Sequence, residues 1–296
     1  MTKEELKEEA LNWFDARGWE TFKLQKDCWD AYWDDKSGLL NAPTGSGKTY
    51  ALWIPAVLEY LLDHEKHEVV PELRILWVTP LRALAKDIHR AMNEFCADIE
   101  LPWKVGLRTG DTPTSERQRQ KKDAPQALVI TPESLHILLC QKDYPNYFKS
   151  LRAIVVDEWH EIIGTKRGVA TELAISRLKH VSLHPLKIWG ISATIGNLRQ
   201  AKRVLLGEDI YQKGVGITAE IDKEIHIESV LPDEVEKFPW SGHLGTKLLP
   251  KIIPLIKDNN TTLLFTNTRS QTELWYQAVL KHAPDLAGAI AMHHGS

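Results

Sequence analysis

Between Leu39-Leu40 and an apolar stretch that continues to Leu62 stands the segment Ala42-Pro-Thr-Gly-Ser-Gly-Lys-Thr49. A loop of small residues between a strand and a helix lets successive backbone N–H groups turn inward, and the helix N-terminus behind it adds positive potential. Such a loop cradles phosphate, so the chain must contain a strand that feeds a helix through a glycine turn. In this reading Thr44, Gly45, Ser46, Gly47, Lys48 and Thr49 bind a nucleotide. Lys48 reaches the β- and γ-phosphates, and the Thr49 hydroxyl ligates Mg²⁺. Ala42 stands where the strict pattern has glycine. Gly45 and Gly47 keep the loop open where the phosphates approach, and the strand and helix on either side argue against a glycine turn with an incidental lysine.

Two further motifs follow in order. Asp157, in Val156-Asp-Glu-Trp-His160, closes an apolar run. Its carboxylate can hold Mg²⁺ directly or through water, and Glu158 beside it can orient and deprotonate an attacking water. Ser192-Ala-Thr194 ends a second apolar run. There Ser192, Ala193 and Thr194, with His160, are placed to link the γ-phosphate to a second domain through hydrogen bonds; a merely packed His160 is the alternative. Upstream, the Gln25 amide can both donate to and accept from an adenine edge. Trp19 and Phe22 are near enough in sequence to pack on a base, although a surface helix glutamine would read the same way.

Short apolar runs alternate with helical patterns. Strands are expected at Leu73–Thr79, Ala127–Thr131, Ala153–Asp157 and Lys187–Ser192, with helices at Thr49–Leu62, Leu81–Phe95, Glu133–Cys140 and Val169–His180. Continuous apolar strands separated by helices mean an α/β fold with a parallel sheet covered on both faces, and motifs placed directly after strands sit where such sheets bind ligands. The first domain is expected over 1–208. Mixed charges, Gly and Pro over 209–240 read as a connection. A second alternation begins over 241–296, with helices at Lys247–Ile256 and Gln271–His282 and strands at Thr261–Thr266 and Gly288–Met292. It is too short for a complete second sheet domain.

Composition narrows the partners. With 37 Lys and Arg against 40 Asp and Glu, the net charge of −3 is not that of a protein held to nucleic acid by bulk charge; phosphate backbone contacts would need local basic patches. Candidates are Arg82, Arg108, the run Arg117-Gln-Arg-Gln-Lys-Lys122, Lys166-Arg167, Arg199, Lys202-Arg203 and Arg269, each of which alone also reads as a solvated charge. Cys28, Cys96 and Cys140 have neither metal-ligand nor disulfide spacing and fit a reducing cytoplasm. No apolar run approaches the roughly 20 residues that span a bilayer, so no membrane role is expected.

Taken together these segments resemble a superfamily 2 DExH-box helicase, and within it the large helicase-related (Lhr) group, including its ligase-associated DNA-damage-response branch. The resemblance extends through Trp77-Val-Thr-Pro-Leu-Arg-Ala-Leu-Ala85, Gly106-Leu-Arg-Thr-Gly-Asp-Thr112, Thr131-Pro-Glu-Ser-Leu135, Gly164-Thr-Lys-Arg-Gly168, Leu264-Phe-Thr-Asn-Thr-Arg-Ser270 and His293-His-Gly-Ser296. It implies a RecA-like P-loop NTPase domain followed by an incomplete second RecA-like lobe, with ATP in the cleft between lobes and a single strand across them. The implied activity is ATP-driven 3′-to-5′ movement on single-stranded DNA, or on a duplex with a single-stranded tail, with RNA:DNA hybrids as further substrates. The implied setting is DNA repair, with partners such as an ATP-dependent ligase or a nuclease. By position, Thr79, Arg82, Thr109, Gly110, Thr131, Glu133, Lys166 and Arg167 line the strand path in the first lobe, and Thr266, Asn267 and Arg269 in the second. Such contacts go mainly to phosphate and sugar. A nucleotide-gated clamp that does not unwind is the competing reading.

The family's later second-lobe motifs, including its arginine finger, are not among these 296 residues, and such a finger is worth about 10³–10⁵ in rate in related NTPases. Residues 1–296 alone are therefore expected to bind ATP·Mg²⁺ and, weakly, single strands, to hydrolyse ATP poorly and not to unwind. Strong DNA-stimulated ATPase activity from this polypeptide would contradict that expectation.

Overall fold

The structure is a computed structural model that describes residues 2–66, 68–193, 195–219, 225–231 and 245–293. The chain divides into two compact units, Met1–Ile221 and Asp222–Ser296.

In the first unit seven strands form one parallel sheet: β1 (Gly38–Asn41), β2 (Ile75–Val78), β3 (Val105–Arg108), β4 (Ala127–Ile130), β5 (Ala153–Val156), β6 (Lys187–Ser192) and β7 (Val215–Thr218), in the order β3-β4-β2-β5-β6-β1-β7. The interior strands β2, β4, β5 and β6 are buried along their whole length. Successive side chains leave a strand on opposite faces, so Ile75 and Trp77 of β2 enter one core with Trp29, Trp53 and Phe95. Leu76 and Val78 enter the other, with Phe148 and Trp159. Two apolar layers, each roofed by helices, follow directly from the continuous apolar strands.

Helix Lys3–Ala16 starts in a capping box: the Thr2 hydroxyl accepts from Glu5 N–H at 3.2 Å, and the Glu5 carboxylate accepts from Thr2 N–H at 2.8 Å. Helix Lys23–Trp33 packs beside helix Lys48–Leu58, and Trp33 Nε1 donates to the Pro55 carbonyl at 3.1 Å. Helices Arg82–Asp98, Thr114–Lys122, Pro132–Leu139, Lys166–Val181 and Leu198–Leu206 complete the cover.

The expected strands and helices of this unit are present within a few residues. Several elements escaped the sequence reading, among them two strands and the helix Thr114–Lys122. β3 and β7 are the two edge strands, and β7 alternates between half-buried and exposed positions, so neither carries a continuous apolar run. Helix Thr114–Lys122 buries only Gln120 and has no apolar stripe to betray it. The expected domain boundary at 208 is moved accordingly: helix Glu208–Tyr211 and β7 belong to the first sheet domain, β7 through parallel pairing with β1, and are not part of a connection.

The second unit contains helices Leu249–Asp258 and Arg269–His282, the latter capped by the Thr268 hydroxyl, which accepts from Gln271 N–H at 3.3 Å. The segments expected as strands at Thr261–Thr266 and Gly288–Met292 form none among the described residues. A strand exists only through a neighbour's hydrogen bonds; here Leu263 and Phe265 stand exposed with no pairing partner. Among the described residues no helix is long and apolar enough to cross a membrane.

Gly168 shows how tightly the helix carrying Lys166 and Arg167 is seated. A Cβ added there would run into the Ile162 carbonyl and the Ile163 backbone, which cannot step aside as a side chain tip can. Gly168→Ala is expected to cost about 1–3 kcal/mol, which lowers the melting midpoint by roughly 2–4 °C per kcal/mol for a domain of this size. Thermal unfolding that leaves the midpoint unmoved would contradict the close approach.

Candidate nucleotide site and nucleic-acid face

The three motifs meet because β5, β6 and β1 are neighbours in a parallel sheet, so their C-terminal ends lie side by side. Asn41 pairs in register with Ser192, and Gly190 with Val156. Past the strand ends the pairing continues into the loops: Ala42 N–H donates to Ser192 O at 3.0 Å, and Asn41 Nδ2 to Ala193 O at 2.6 Å.

Within the phosphate loop Gly45 and Gly47 take φ of +79° and +69°, a region that favours glycine. Ser46 is buried and its Oγ donates to Pro43 O at 2.7 Å, while Lys48 Nζ donates to Ala42 O at 2.8 Å. Gly47 is the N-cap of helix Lys48–Leu58, with Thr49 in its first turn. Gln25 is buried against this loop. Its Nε2 donates to Gly47 O at 3.2 Å and its Oε1 accepts from Phe22 N–H at 2.9 Å. The amide expected to read adenine is thus half committed to holding the loop, and it keeps one N–H and one oxygen lone pair for a base. Trp19 and Phe22 are both partly exposed.

Asp157 ends β5 and is only 5% exposed. Burial, with the Glu158 charge adding to it, pushes its carboxyl from the ordinary 3.8 up to about 7, against the Glu158 N–H and the Lys48 charge, which favour the anion. Lys48, in the loop after β1, is therefore within electrostatic reach of Asp157, which follows β5 at the same edge of the parallel sheet. Glu158 itself is left-handed at φ +47°, a conformation that costs a non-glycine residue about 1–3 kcal/mol. Its neighbour Trp159 over-determines the turn. Trp159 is fully buried in one core, with Nε1 donating to Ala201 O at 3.1 Å, so the chain must swing Trp159 inward immediately after Asp157 and leave Glu158 at the strand end.

His160 joins the second motif to the third. Its Nδ1 accepts from Ala193 N–H at 3.3 Å and lies 3.5 Å from Glu158 Oε2, and its Nε2 lies 3.4 Å from Glu161 Oε1. Of the Ser192-Ala193-Thr194 segment expected to couple with His160, the Ala193 backbone makes the bond; Ser192 Oγ is buried without a hydrogen-bond partner among the described residues, and Thr194 lies outside them. Among the described residues no cluster of three or more His, Cys, Asp or Glu side chains could hold a metal alone. One buried carboxylate and one helix hydroxyl suit Mg²⁺ that takes its other oxygens from phosphate and water.

The residues expected on the strand path in this unit also come together. Thr79, Thr109 and Thr131 follow β2, β3 and β4, which are adjacent. All three are buried, and Thr131 Oγ1 is spent on Ser134 Oγ at 3.0 Å. Arg82 NH1 donates to Asp111 at 2.8 Å. Arg167 Nε donates to Glu133 at 2.6 Å, and its NH2 to Pro80 O at 2.9 Å. Burial alone would raise the Glu133 carboxyl, but the Arg167 hydrogen bond and charge, the Glu133 N–H and the Thr131 hydroxyl together hold it below the usual range. The face therefore presents paired arginines and the exposed Gly110 and Lys166 more than free basic charge. In the second unit, Thr266 Oγ1 meets Thr272 Oγ1 at 2.7 Å, Asn267 N–H donates to Gln271 at 3.3 Å and Arg269 to Glu273 at 3.2 Å. A hollow of about 760 Å³ lies along the β3 edge between Lys86, His89, Thr109 and Arg119, and no residue of the phosphate loop lines it.

A glycine loop, an acidic pair and a parallel sheet of this order define a P-loop domain. The DEAD/DEAH box helicase family matches residues 22–202, and the chain belongs to it. Among its relatives it is similar to the ATP-dependent helicase Lhr-Core protein 2 of Thermococcus barophilus, at 33% identity over 87% of this chain and 31% of that one. It is also similar to the ATP-dependent helicase Lhr-Core of Methanothermobacter thermautotrophicus, at 34% over 79% and 28%. The chain thus spans about a third of the length of these curated relatives. Among solved structures it superimposes on the Mycobacterium smegmatis helicase Lhr bound to single-stranded DNA and AMP-PNP, with a TM-score of 0.74, 27% identity and coverage of 97% of this chain and 38% of that one. The helicase MrfA bound to DNA shares the fold, with a TM-score of 0.72 at 19% identity over 92% of this chain and 38% of that one.

The raised Asp157 carboxyl gives a signed pH dependence. A folded-state value above the unfolded 3.8 means the folded chain holds the extra proton, so stability is full below about 4 and falls as pH rises towards 7. Asp157→Asn, without nucleotide or metal, removes that loss. Its melting midpoint should exceed the wild type by a margin that grows from pH 5 to 8, for a free-energy difference of at most about 4 kcal/mol. A margin independent of pH would contradict the assignment.

Proposed function

We propose that this chain is the ATP-binding motor portion of an Lhr-type helicase, which couples ATP hydrolysis to 3′-to-5′ movement on single-stranded DNA. Its substrates are single strands and duplexes with a single-stranded tail, RNA:DNA hybrids included. Its setting is cytoplasmic DNA repair, in company with proteins such as a ligase or a nuclease. The observation that carries this reading is the row of strand ends at which Lys48, Asp157 with Glu158, and the His160–Ala193 bond adjoin, while Thr79, Arg82, Gly110 and Glu133 crown the neighbouring strands. The Lhr structure with single-stranded DNA and AMP-PNP supports the choice of ligands.

In this reading the amides of Gly45 to Thr49 bind the phosphate tail, and Lys48 offsets charge developing on the γ-phosphoryl oxygens. Thr49 and Asp157 hold Mg²⁺, which when bound neutralises further phosphate charge. The Lys48 charge favours ionised Asp157, as a metal ligand requires. Glu158, turned out at the strand end, orients a water in line with the γ-phosphate and accepts its proton. His160 senses that carboxylate on one side and the Ala193 amide on the other, so loss of the γ-phosphate is felt in the third motif.

Glu158→Gln tests the assignment. It keeps the size and hydrogen bonding of the side chain but removes the base, so single-turnover hydrolysis should fall about 10²–10⁴-fold while ATP-dependent retention of labelled single-stranded DNA persists. Unchanged hydrolysis would remove Glu158 from the reaction. Loss of ATP-dependent retention would separate nucleotide and strand binding.

A further inference from the structure

In the basic run Arg117–Lys122 the charges of Arg119, Lys121 and Lys122 are exposed, but Arg117 is not a free surface charge. The run forms a helix whose first arginine turns back under the loop that follows β3. Arg117 NH2 donates to Thr109 O at 3.1 Å and to Gly110 O at 2.8 Å, while Arg108 NH1 donates to Arg117 O at 3.3 Å. Among the described residues neither arginine has a carboxylate partner, and Arg117 Nε is buried without any partner. Burial lowers the Arg108 pKa, and the Arg117 charge adds to that. Two guanidinium groups are thus held at one loop through backbone carbonyls.

The carbonyls that Arg117 holds set the loop's outward face. The peptide bonds of this loop are trans, so each N–H points opposite to the carbonyl of its own peptide. With Thr109 O drawn towards Arg117, the Gly110 N–H is turned to the other side of the loop. Asp111 N–H is occupied internally by Thr109 Oγ1 at 3.2 Å, and Thr109 N–H by Thr112 Oγ1 at 2.9 Å. The exposed Gly110 amide is therefore the one the loop offers. Arg82 lies against the same residue: a Cβ on Gly110 would come within 2.7 Å of Arg82 NH2. Its pairing with Asp111 is exposed, and such pairs are worth about 0–1 kcal/mol, which an arriving phosphate can readily displace.

We propose that Arg117 is a positioning residue for strand binding: its NH2, shared between the Thr109 and Gly110 carbonyls, presents the Gly110 amide beside Arg82 as a seat for a backbone phosphate, without itself touching the strand. The proposal rests on the reading of this face as the strand path. A contact residue and a positioning residue differ in their response to salt, because only a group that neutralises a phosphate releases a counterion.

The test uses labelled oligo-dT and residues 1–296, with affinity followed by anisotropy across a salt series for wild type, Arg82→Gln, Arg117→Met and Arg117→Lys. Arg82→Gln should weaken binding and flatten the log–log salt slope by about 0.7. Arg117→Met should weaken binding about 3- to 10-fold with the wild-type slope, leave the affinity for a fluorescent ADP analogue unchanged, and speed hydrogen exchange at Gly110 and Asp111. Arg117→Lys keeps the charge, but its shorter side chain does not carry a nitrogen to the position of NH2 and its ammonium is not held by a planar group, so it should resemble Arg117→Met in both affinity and exchange. Wild-type affinity in Arg117→Met, full recovery in Arg117→Lys, or a slope change like that of Arg82→Gln would each overturn the proposal. Should Arg117→Met also lose the nucleotide analogue, Arg117→Lys alone decides. Wild type that fails to bind oligo-dT at any salt, or an Arg82→Gln variant that binds as wild type does, would instead sink the strand-path reading itself.

Discussion

The hydrogen bonds that continue the β1–β6 pairing beyond the strand ends are the constraint on which the site depends. Ala42 N–H on Ser192 O, and Asn41 on Ala193 O, fasten the phosphate loop to the third motif. The His160–Ala193 bond then fastens that motif to the acidic pair. Each of these loops alone would sample many conformations. Anchored to adjacent parallel strands, all three are held at one edge of a rigid sheet, and a displacement at one is felt at the next.

The same scaffold tolerates two unfavourable features because both cores are dense. Asp157 is a carboxylate placed where burial opposes its charge, and Glu158 occupies a backbone region that disfavours side chains. Trp159 and Trp77, buried on opposite faces of the sheet, supply packing that outweighs these costs. An acidic residue whose charge is disfavoured without a cation, beside a lysine that offsets the disfavour, is a site poised for a metal-bound polyanion.

Sequence alone revealed the strands that carry the motifs, because β2, β4, β5 and β6 are buried on both faces and so are continuously apolar. It did not reveal β3, β7 or the helix at Thr114–Lys122, whose burial is partial and whose patterns are polar. Lys48, Asp157 and Glu158 were legible because their chemistry demands those residue types at strand ends. The hydrogen bonds of Gln25 and Arg117 to backbone carbonyls were not, since nothing in the residue pattern says which carbonyl a side-chain N–H will meet. Nor does the Ser192-Ala193-Thr194 pattern say that the Ala193 backbone, and not a hydroxyl, makes the bond to His160.

The central claim is that one nucleoside triphosphate is held by the Gly45–Thr49 amides with Asp157 and Glu158 at its terminal phosphate. A crystal structure of the protein with Mg²⁺ and a non-hydrolysable ATP analogue tests it most directly. The account predicts the γ-phosphate at Lys48 Nζ, the ion at about 2 Å from the Thr49 hydroxyl with Asp157 bound directly or through water, and a water between Glu158 and the phosphorus. An analogue bound elsewhere, or phosphates in the loop with the acidic pair beyond reach of the ion, would contradict it.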